Sequence, residues 1–235
     1  MSAIGILGGM GPQASAKLYE LLIEGTKAYT PAAVDDDYPE IVLLNVPVPN
    51  FISNKNDLQK AKQMLIDSTK LLEKAGCTIN GIACNTVHIL LPELQAATKV
   101  PFLSIPNLVA QKIKAAGFER VGLLATPTTL QSTLYDDALE GIATVVRPNK
   151  ELALYIEKTI YKQLDDSLTT KDKGLFIKEV DDFMASQQLD AVILGCTELP
   201  LVYGDFKNSR VIDTLQVLCD ALLKRYFETD RQLGV

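Results

Sequence analysis

Two similar α/β units, each a parallel sheet covered by helices, are what this 235-residue sequence predicts. Three observations carry the prediction. Short apolar runs alternate with amphipathic stretches along the whole chain. The apolar runs are nearly unbroken, as in parallel strands buried on both faces. The sequence also repeats itself: IGILGGMGP at 4–12 resembles VGLLATPTT at 121–129, and GIACNTVHILLP at 81–92 resembles VILGCTELPLVY at 192–203. Spacing within the two copies agrees, 79 residues from Gly5 to Cys84 and 74 from Gly122 to Cys196. In both halves a strand and a short polar segment follow the cysteine, in VPFLSIPN and in SRVIDTLQ.

The elements follow in order. Strands are expected at 3–7, 40–46, 79–83 and 101–104, then at 120–125, 142–146, 190–194 and 210–212. Between the second and third, Leu58, Ala61, Leu65, Thr69 and Leu72 recur at helical spacing, and Gly76 supplies the stop. Leu215, Leu218, Leu222 and Phe227 predict a C-terminal helix over 213–228. The acidic run at 35–37 reads as a solvated loop before the second strand. Two α/β units facing each other would form a cleft at the carboxyl ends of their strands, where such sheets bind ligands.

Composition narrows the function. Hydrophobic residues make up 47% and charged residues 22%, an ordinary soluble balance. A net charge of −6 without a cluster of Lys and Arg argues against nucleic acid as a partner. No apolar run approaches the roughly 20 residues of a membrane span. The N-terminal MSAIGILGG has no basic region and no long apolar segment, so it reads as a first strand and not as a signal peptide. A cytoplasmic protein is expected.

The four cysteines are Cys77, Cys84, Cys196 and Cys219. In a reducing compartment a conspicuous cysteine is more often catalytic or metal-binding than disulfide-bonded. There is no C-x-x-C pair and one histidine, His88, which argues against structural zinc or another metal centre. Cys84 and Cys196 each end an expected strand and precede an expected helix start, followed by Asn85 and Thr86 in one case and by Thr197 and Glu198 in the other. The N–H groups and dipole at a helix start favour an anion, either a thiolate or a substrate carboxylate. Two such thiols suggest a two-base device, in which one removes the proton beside a carboxylate and the other returns a proton to the opposite face. A lone cysteine at a strand end is ordinarily a small hydrophobe. Matching places in an internal repeat, each flanked by threonine, point beyond that. Cys77, after a helix-ending glycine, and Cys219, inside a helical pattern, read as filler.

His88, four residues after Cys84, would share its helix face, as a structural group or one that tunes the thiolate. A Cys–His nucleophile pair lacks an evident third group to orient it. Glu198 either caps the helical turn, contacts a substrate ammonium or orders the site. Gly9, Gly11 and Ala14 make a dinucleotide-like element, but the second strand ends in NVPVPN without the acid that reading needs, and no Gly-Lys-Ser/Thr follows to make a phosphate loop. The plainer reading is a tight turn whose N–H groups line the cleft.

Taken together, ILGGMGP at 6–12, CNTVH at 84–88, LLATPTT at 123–129 and GCTELP at 195–200 resemble the aspartate/glutamate racemase family along essentially the whole chain. Gly-Cys-Thr-Glu and the Gly-Gly-Met of the first loop are closer to its aspartate racemase branch. The resemblance implies two α/β domains related by a pseudo-twofold axis, 1–101 with 211–235 and 102–210, with the active site between them and no pyridoxal phosphate, metal or other cofactor. It assigns the catalytic thiols to Cys84 and Cys196. It assigns substrate binding to Gly9, Met10, Asn85, Thr86, Thr126, Thr129 and Thr197, and it implies an amino-acid substrate and a homodimer. One departure concerns specificity. Aspartate-specific members carry a basic residue in the loop after the second strand, where Asn50 and Phe51 stand here and Lys55 is the nearest cation. A second lysine expected after IYKQL is replaced by Asp165 and Asp166. Glutamate, a neutral amino acid or a broad set therefore stays open as substrate. Two rival readings stay open as well: a cis–trans isomerase or decarboxylase of related fold using one cysteine, and a non-catalytic amino-acid-binding protein.

Overall fold

Among the described residues, eight strands form two sheets of one design. The computed structural model describes residues 2–49, 57–204 and 208–233, with side chains as far as 228. In chain order the first elements are β1 (Ala3–Gly8), α1 (Pro12–Gly25), β2 (Glu40–Asn45), α2 (Leu58–Lys74), β3 (Ile79–Ile82), α3 (Leu91–Ala96) and β4 (Phe102–Leu103). There follow α4 (Ile105–Ala116), β5 (Arg120–Leu124), α5 (Pro127–Gln131), α6 (Leu134–Leu139), β6 (Thr144–Val146), α7 (Lys150–Leu164), α8 (Thr170–Ser186), β7 (Ala191–Leu194), α9 (Leu199–Tyr203), β8 (Val211–Asp213) and α10 (Thr214–Leu233). The strand orders are β2-β1-β3-β4 and β6-β5-β7-β8, and every pairing is parallel.

The register repeats as well. Leu7 of β1 lies opposite Ile82 of β3, and Leu124 of β5 lies opposite Leu194 of β7. Just beyond these pairs, Ala83 N–H donates to the Leu7 carbonyl at 3.0 Å and Gly195 N–H to the Leu124 carbonyl at 2.7 Å. Cys84 and Cys196 are each the next residue. In both sheets the chain leaves the first strand to one side and returns on the other, which makes the carboxyl ends of β1/β3 and of β5/β7 topological switch points.

The chain divides into two compact units, Met1–Ser104 with Leu215–Val235, and Ile105–Thr214. In the first, β1 is fully buried, as its unbroken apolar run requires. Helix α2 buries Ala61, Leu65, Ser68, Thr69 and Leu72, the stripe that its 3.6-residue periodicity predicts. Gly76, at φ +88°, ends the chain's helical course there without the steric cost a side chain would meet. The C-terminal helix returns to this unit because glycines make room for it: a Cβ on Gly81 would sit 3.0 Å from Leu222, and one on Gly25 would sit 2.7 Å from Leu223. In the second unit Gly122 does the same for Phe183 of α8, 2.6 Å from its would-be Cβ.

All eight expected strands are present, with small shifts at their ends. The sixth starts at Thr144 because Ile142 and Ala143 still donate to the Leu139 carbonyl in the turn that ends α6. The acidic run at 35–37 is a 3₁₀ turn in which the Asp37 carboxylate accepts from Ala33 and Val34 N–H at 2.7 and 3.1 Å. Those bonds hold its carboxyl below the usual range. No helix among the described residues is long and apolar enough to cross a membrane.

Candidate active site

In the first unit the loop after β1 and the loop after β3 lie at the ends of neighbouring strands. Gly9 has φ +97°, and a Cβ there would meet Val46 backbone nitrogen and oxygen at 2.5 and 2.6 Å. Backbone cannot move aside as a flexible side chain can, so only glycine fits. Gly9→Ala is expected to destabilise the fold by about 1–3 kcal/mol, read as a lowered urea midpoint with an unchanged slope; an unchanged midpoint would contradict this geometry. Gly9 N–H donates to Ser15 Oγ at 2.9 Å, and Ser15 donates on to the Gly11 carbonyl at 3.0 Å. Ser15, a buried serine on the inner face of α1, thus pins the loop that carries Gly9 and Met10. Sequence reasoning passed over it; a lone polar residue on an apolar helix face was its only signal.

Cys84 (5% exposed), Asn85 and Thr86 are buried at the end of β3. The helix expected to start at once is instead a five-residue 3₁₀ helix, Thr86–Leu90. Helix α9 after Cys196 likewise has five residues. Axial dipoles this short are weak, so they do little to favour a thiolate at either cysteine. Of the two uses expected of His88, structural or tuning the thiolate, its hydrogen bond fits the structural one. Its Nδ1 lies 2.8 Å from the Cys84 carbonyl oxygen, which can only accept, so Nδ1 carries the proton. Burial pushes the imidazole pKa down to about 4, against the pull of the Cys84, Leu103 and Asn85 backbone groups. His88 is therefore a neutral brace on the backbone of Cys84.

In the second unit Thr126 caps α5, its Oγ1 accepting from Thr129 N–H at 3.3 Å and donating to Thr129 Oγ1 at 3.1 Å. Both threonines are buried. Gly195 lets β7 close on β5, since a Cβ there would fall 2.6 Å from Leu123 and 3.2 Å from Ala125. Cys196 (6% exposed) and Thr197 follow it, also buried. Glu198 sits at the N-cap of α9 but makes no side-chain cap bond, so the capping reading is overturned. Its carboxylate, 3% exposed, accepts instead from Cys196 Sγ at 2.9 Å and from Thr197 Oγ1 at 3.2 Å, both on Oε2. Tyr135 of α6 is fully buried; burial first, then the nearby Cys196, push its hydroxyl above the usual tyrosine range. Nothing in LYDDAL marked this tyrosine as a neighbour of the cysteine.

The first unit thus gathers Gly9, Met10, Cys84, Asn85 and Thr86, and the second gathers Thr126, Thr129, Cys196, Thr197 and Glu198. Asn50, Phe51 and Lys55 lie outside the described residues. Asp165 and Asp166 are exposed in the turn after α7. Cys77 and Cys219 are buried, as core filler is.

The model of the Asp/Glu/hydantoin racemase family matches residues 7–222, nearly the whole chain and both cysteine loops. The chain belongs to that family. The broad specificity amino-acid racemase RacX of Bacillus subtilis (strain 168) is 27% identical to this racemase-family chain over 224 residues, 95% of this chain and 97% of that one. An aspartate racemase homologue from Pyrococcus horikoshii OT3 is similar in structure, with a TM-score of 0.81 and 30% identity over 96% of this chain and 99% of the other. The aspartate racemase of Picrophilus torridus gives a TM-score of 0.79 at 29% identity, over 96% and 94%. The two-sheet α/β architecture is that of these racemase structures.

Proposed function

We propose that this chain is an amino-acid racemase that needs no cofactor and inverts Cα by passing protons between it and the thiols of Cys84 and Cys196. One observation carries the reading: the two thiols occupy one register position in two copies of one sheet design, each at a switch point and each followed by hydroxyl or amide side chains. Inversion needs a base on one face of Cα and an acid on the other; each unit supplies one thiol. Negative charge grows on the substrate carboxylate as the Cα proton leaves. Asn85, Thr86, Thr126, Thr129 and Thr197 are the neutral donors suited to receive it. Gly9 and Met10 are assigned by the family resemblance to the lining of the site, and Asn50 occupies the sequence position at which other members carry a basic residue for the substrate side chain.

The substrate is an amino acid. Relatives named for aspartate and for broad specificity both support this, and the loop around Asn50 and Phe51 favours the broader set over strict aspartate use. The reading carries with it a homodimer in the cytoplasm, which sedimentation and fractionation would check. Proton NMR in D₂O tests the reaction itself. Reduced protein incubated with single L- or D-amino acids is expected to erase the Cα–H signal of its substrate and to produce the opposite enantiomer. Retention of that signal across a full panel would reject the proposal.

A further inference from the structure

Glu198 and Cys196 are the part of the site whose geometry says most about protons. We propose, resting on the racemase reading, that Glu198 is a positioning residue that keeps Cys196 in its thiol form in the resting enzyme, so that Cys84 is the resting base. Glu198 Oε2 accepts from two groups at once, Cys196 Sγ at 2.9 Å and Thr197 Oγ1 at 3.2 Å. A thiol is ordinarily a far weaker acid than a carboxylic acid, so in a pair sharing one proton the proton belongs on sulfur. Removing it would leave a thiolate 2.9 Å from a carboxylate in a buried place, where like charges repel strongly. Among the described residues, Tyr135 of α6 is a further titratable group beside Cys196, a neutral hydroxyl near pH 7 whose ionisation the cysteine opposes.

The repeat makes the pair unequal. Glu198 lies four residues past Leu194, the last paired residue of β7, and the same step past Ile82 of β3 reaches Thr86. Threonine cannot hold a negative charge, so the first cysteine lacks a carboxylate at the position that restrains the second. A two-base racemase needs its thiols in opposite protonation states. With the proton fixed on Cys196, the thiolate falls to Cys84. In the forward turnover the Cα–H bond breaks and the proton goes to Cys84 sulfur, the electron pair passing into the substrate carboxylate. Cys196 then gives its proton to the opposite face. The enzyme is left with Cys84 as thiol and Cys196 as thiolate beside Glu198, and it returns to rest by exchanging protons with solvent or by running the reaction backwards.

Alkylation by iodoacetamide across pH, read by mass spectrometry of the Cys84 and Cys196 peptides, tests this without requiring turnover. The rise for Cys196 is expected at higher pH than that for Cys84. Glu198→Gln should move the Cys196 profile to lower pH and raise its rate near pH 7 by at least about tenfold, with the Cys84 profile unchanged as the internal check on folding. Glu198→Asp, which keeps a carboxylate, should stay on the wild-type side. Coincident wild-type profiles, or a Cys196 profile that Glu198→Gln leaves in place, would overturn the proposal. Should the profiles behave as expected while no amino acid loses its Cα–H in D₂O, the racemase reading fails and the Glu198–Cys196 relation stands. Washout without the profile difference would leave racemisation standing and overturn the role given to Glu198.

Discussion

Cys84→Ala and Cys196→Ala each lose racemisation by about 10²–10⁴-fold, the span that positioned acid–base groups supply, yet each keeps hydrogen exchange on one enantiomer. On the proposed two-base mechanism, the remaining thiol can act on one face of Cα only. It removes the Cα proton that points toward it and returns deuterium to the same face, since no acid remains opposite. The two variants are therefore complementary: one washes out the Cα–H of the L form, the other that of the D form. On the role proposed for the Glu198 carboxylate, 2.9 Å from Cys196 Sγ, exchange by Cys84→Ala should rise at higher pH than exchange by Cys196→Ala. Proton NMR in D₂O with each pure enantiomer reads both rate and stereochemistry. Wild-type racemisation in either variant, or exchange of the same enantiomer by both, would rule out the two-base mechanism. A one-cysteine isomerase or decarboxylase predicts instead that one thiol is dispensable.

Acidification from pH 7 to 4 is expected to remove about 3 kcal/mol of stability through His88 alone. The sign follows from its environment. Buried against the Cys84 carbonyl, its imidazole binds a proton only at about pH 4, whereas an unfolded histidine does so at 6.5. Between those values the unfolded chain binds more protons than the folded one, so stability falls as pH falls. Above 6.5 both states are neutral and the full contribution is present; below about 4 both are charged and the loss is complete. The gap, at about 1.4 kcal/mol per pH unit, comes to about 3 kcal/mol. Titrating carboxylates add slopes of their own, so the comparison is with His88→Gln, whose amide can still donate to the Cys84 carbonyl without titrating. Urea unfolding of both proteins across this range should show the wild type losing about 3 kcal/mol more than the variant. Parallel curves would show that His88 is not buried as a neutral base.

Much of the architecture was legible because backbone physics writes it locally. Unbroken apolar runs such as AVIL at 191–194 read as doubly covered parallel strands, and they are buried throughout. The α2 stripe and the stop at Gly76 follow from helical period and from a φ open to glycine. The internal repeat was legible too, since two sheets of one register need similar strands at similar spacing. That repeat alone separates Cys84 and Cys196 from the other two cysteines. What lies in that pattern is the choice of fold, its repetition, and the residues brought to the strand ends.

Hydrogen-bond partners were not legible, because they depend on where side chains turn after the backbone has closed. Glu198 read equally well as a cap, an ammonium contact or a group that orders the site; the structure turns its carboxylate onto Cys196 and Thr197. His88 at helical spacing from Cys84 read as a structural group or one that tunes the thiolate, and in the 3₁₀ turn its ring bonds the Cys84 carbonyl. Ser15 gave almost no local sign because its bond to Gly9 depends on how the loop before α1 folds back, and Tyr135 because Cys196 is brought near it only by packing. The sequence by itself determined a repeated α/β frame with a thiol at the end of each third strand. Tertiary structure alone decided which polar atoms surround those thiols, because proton positions are set by distances of a few tenths of an ångström that no residue pattern encodes.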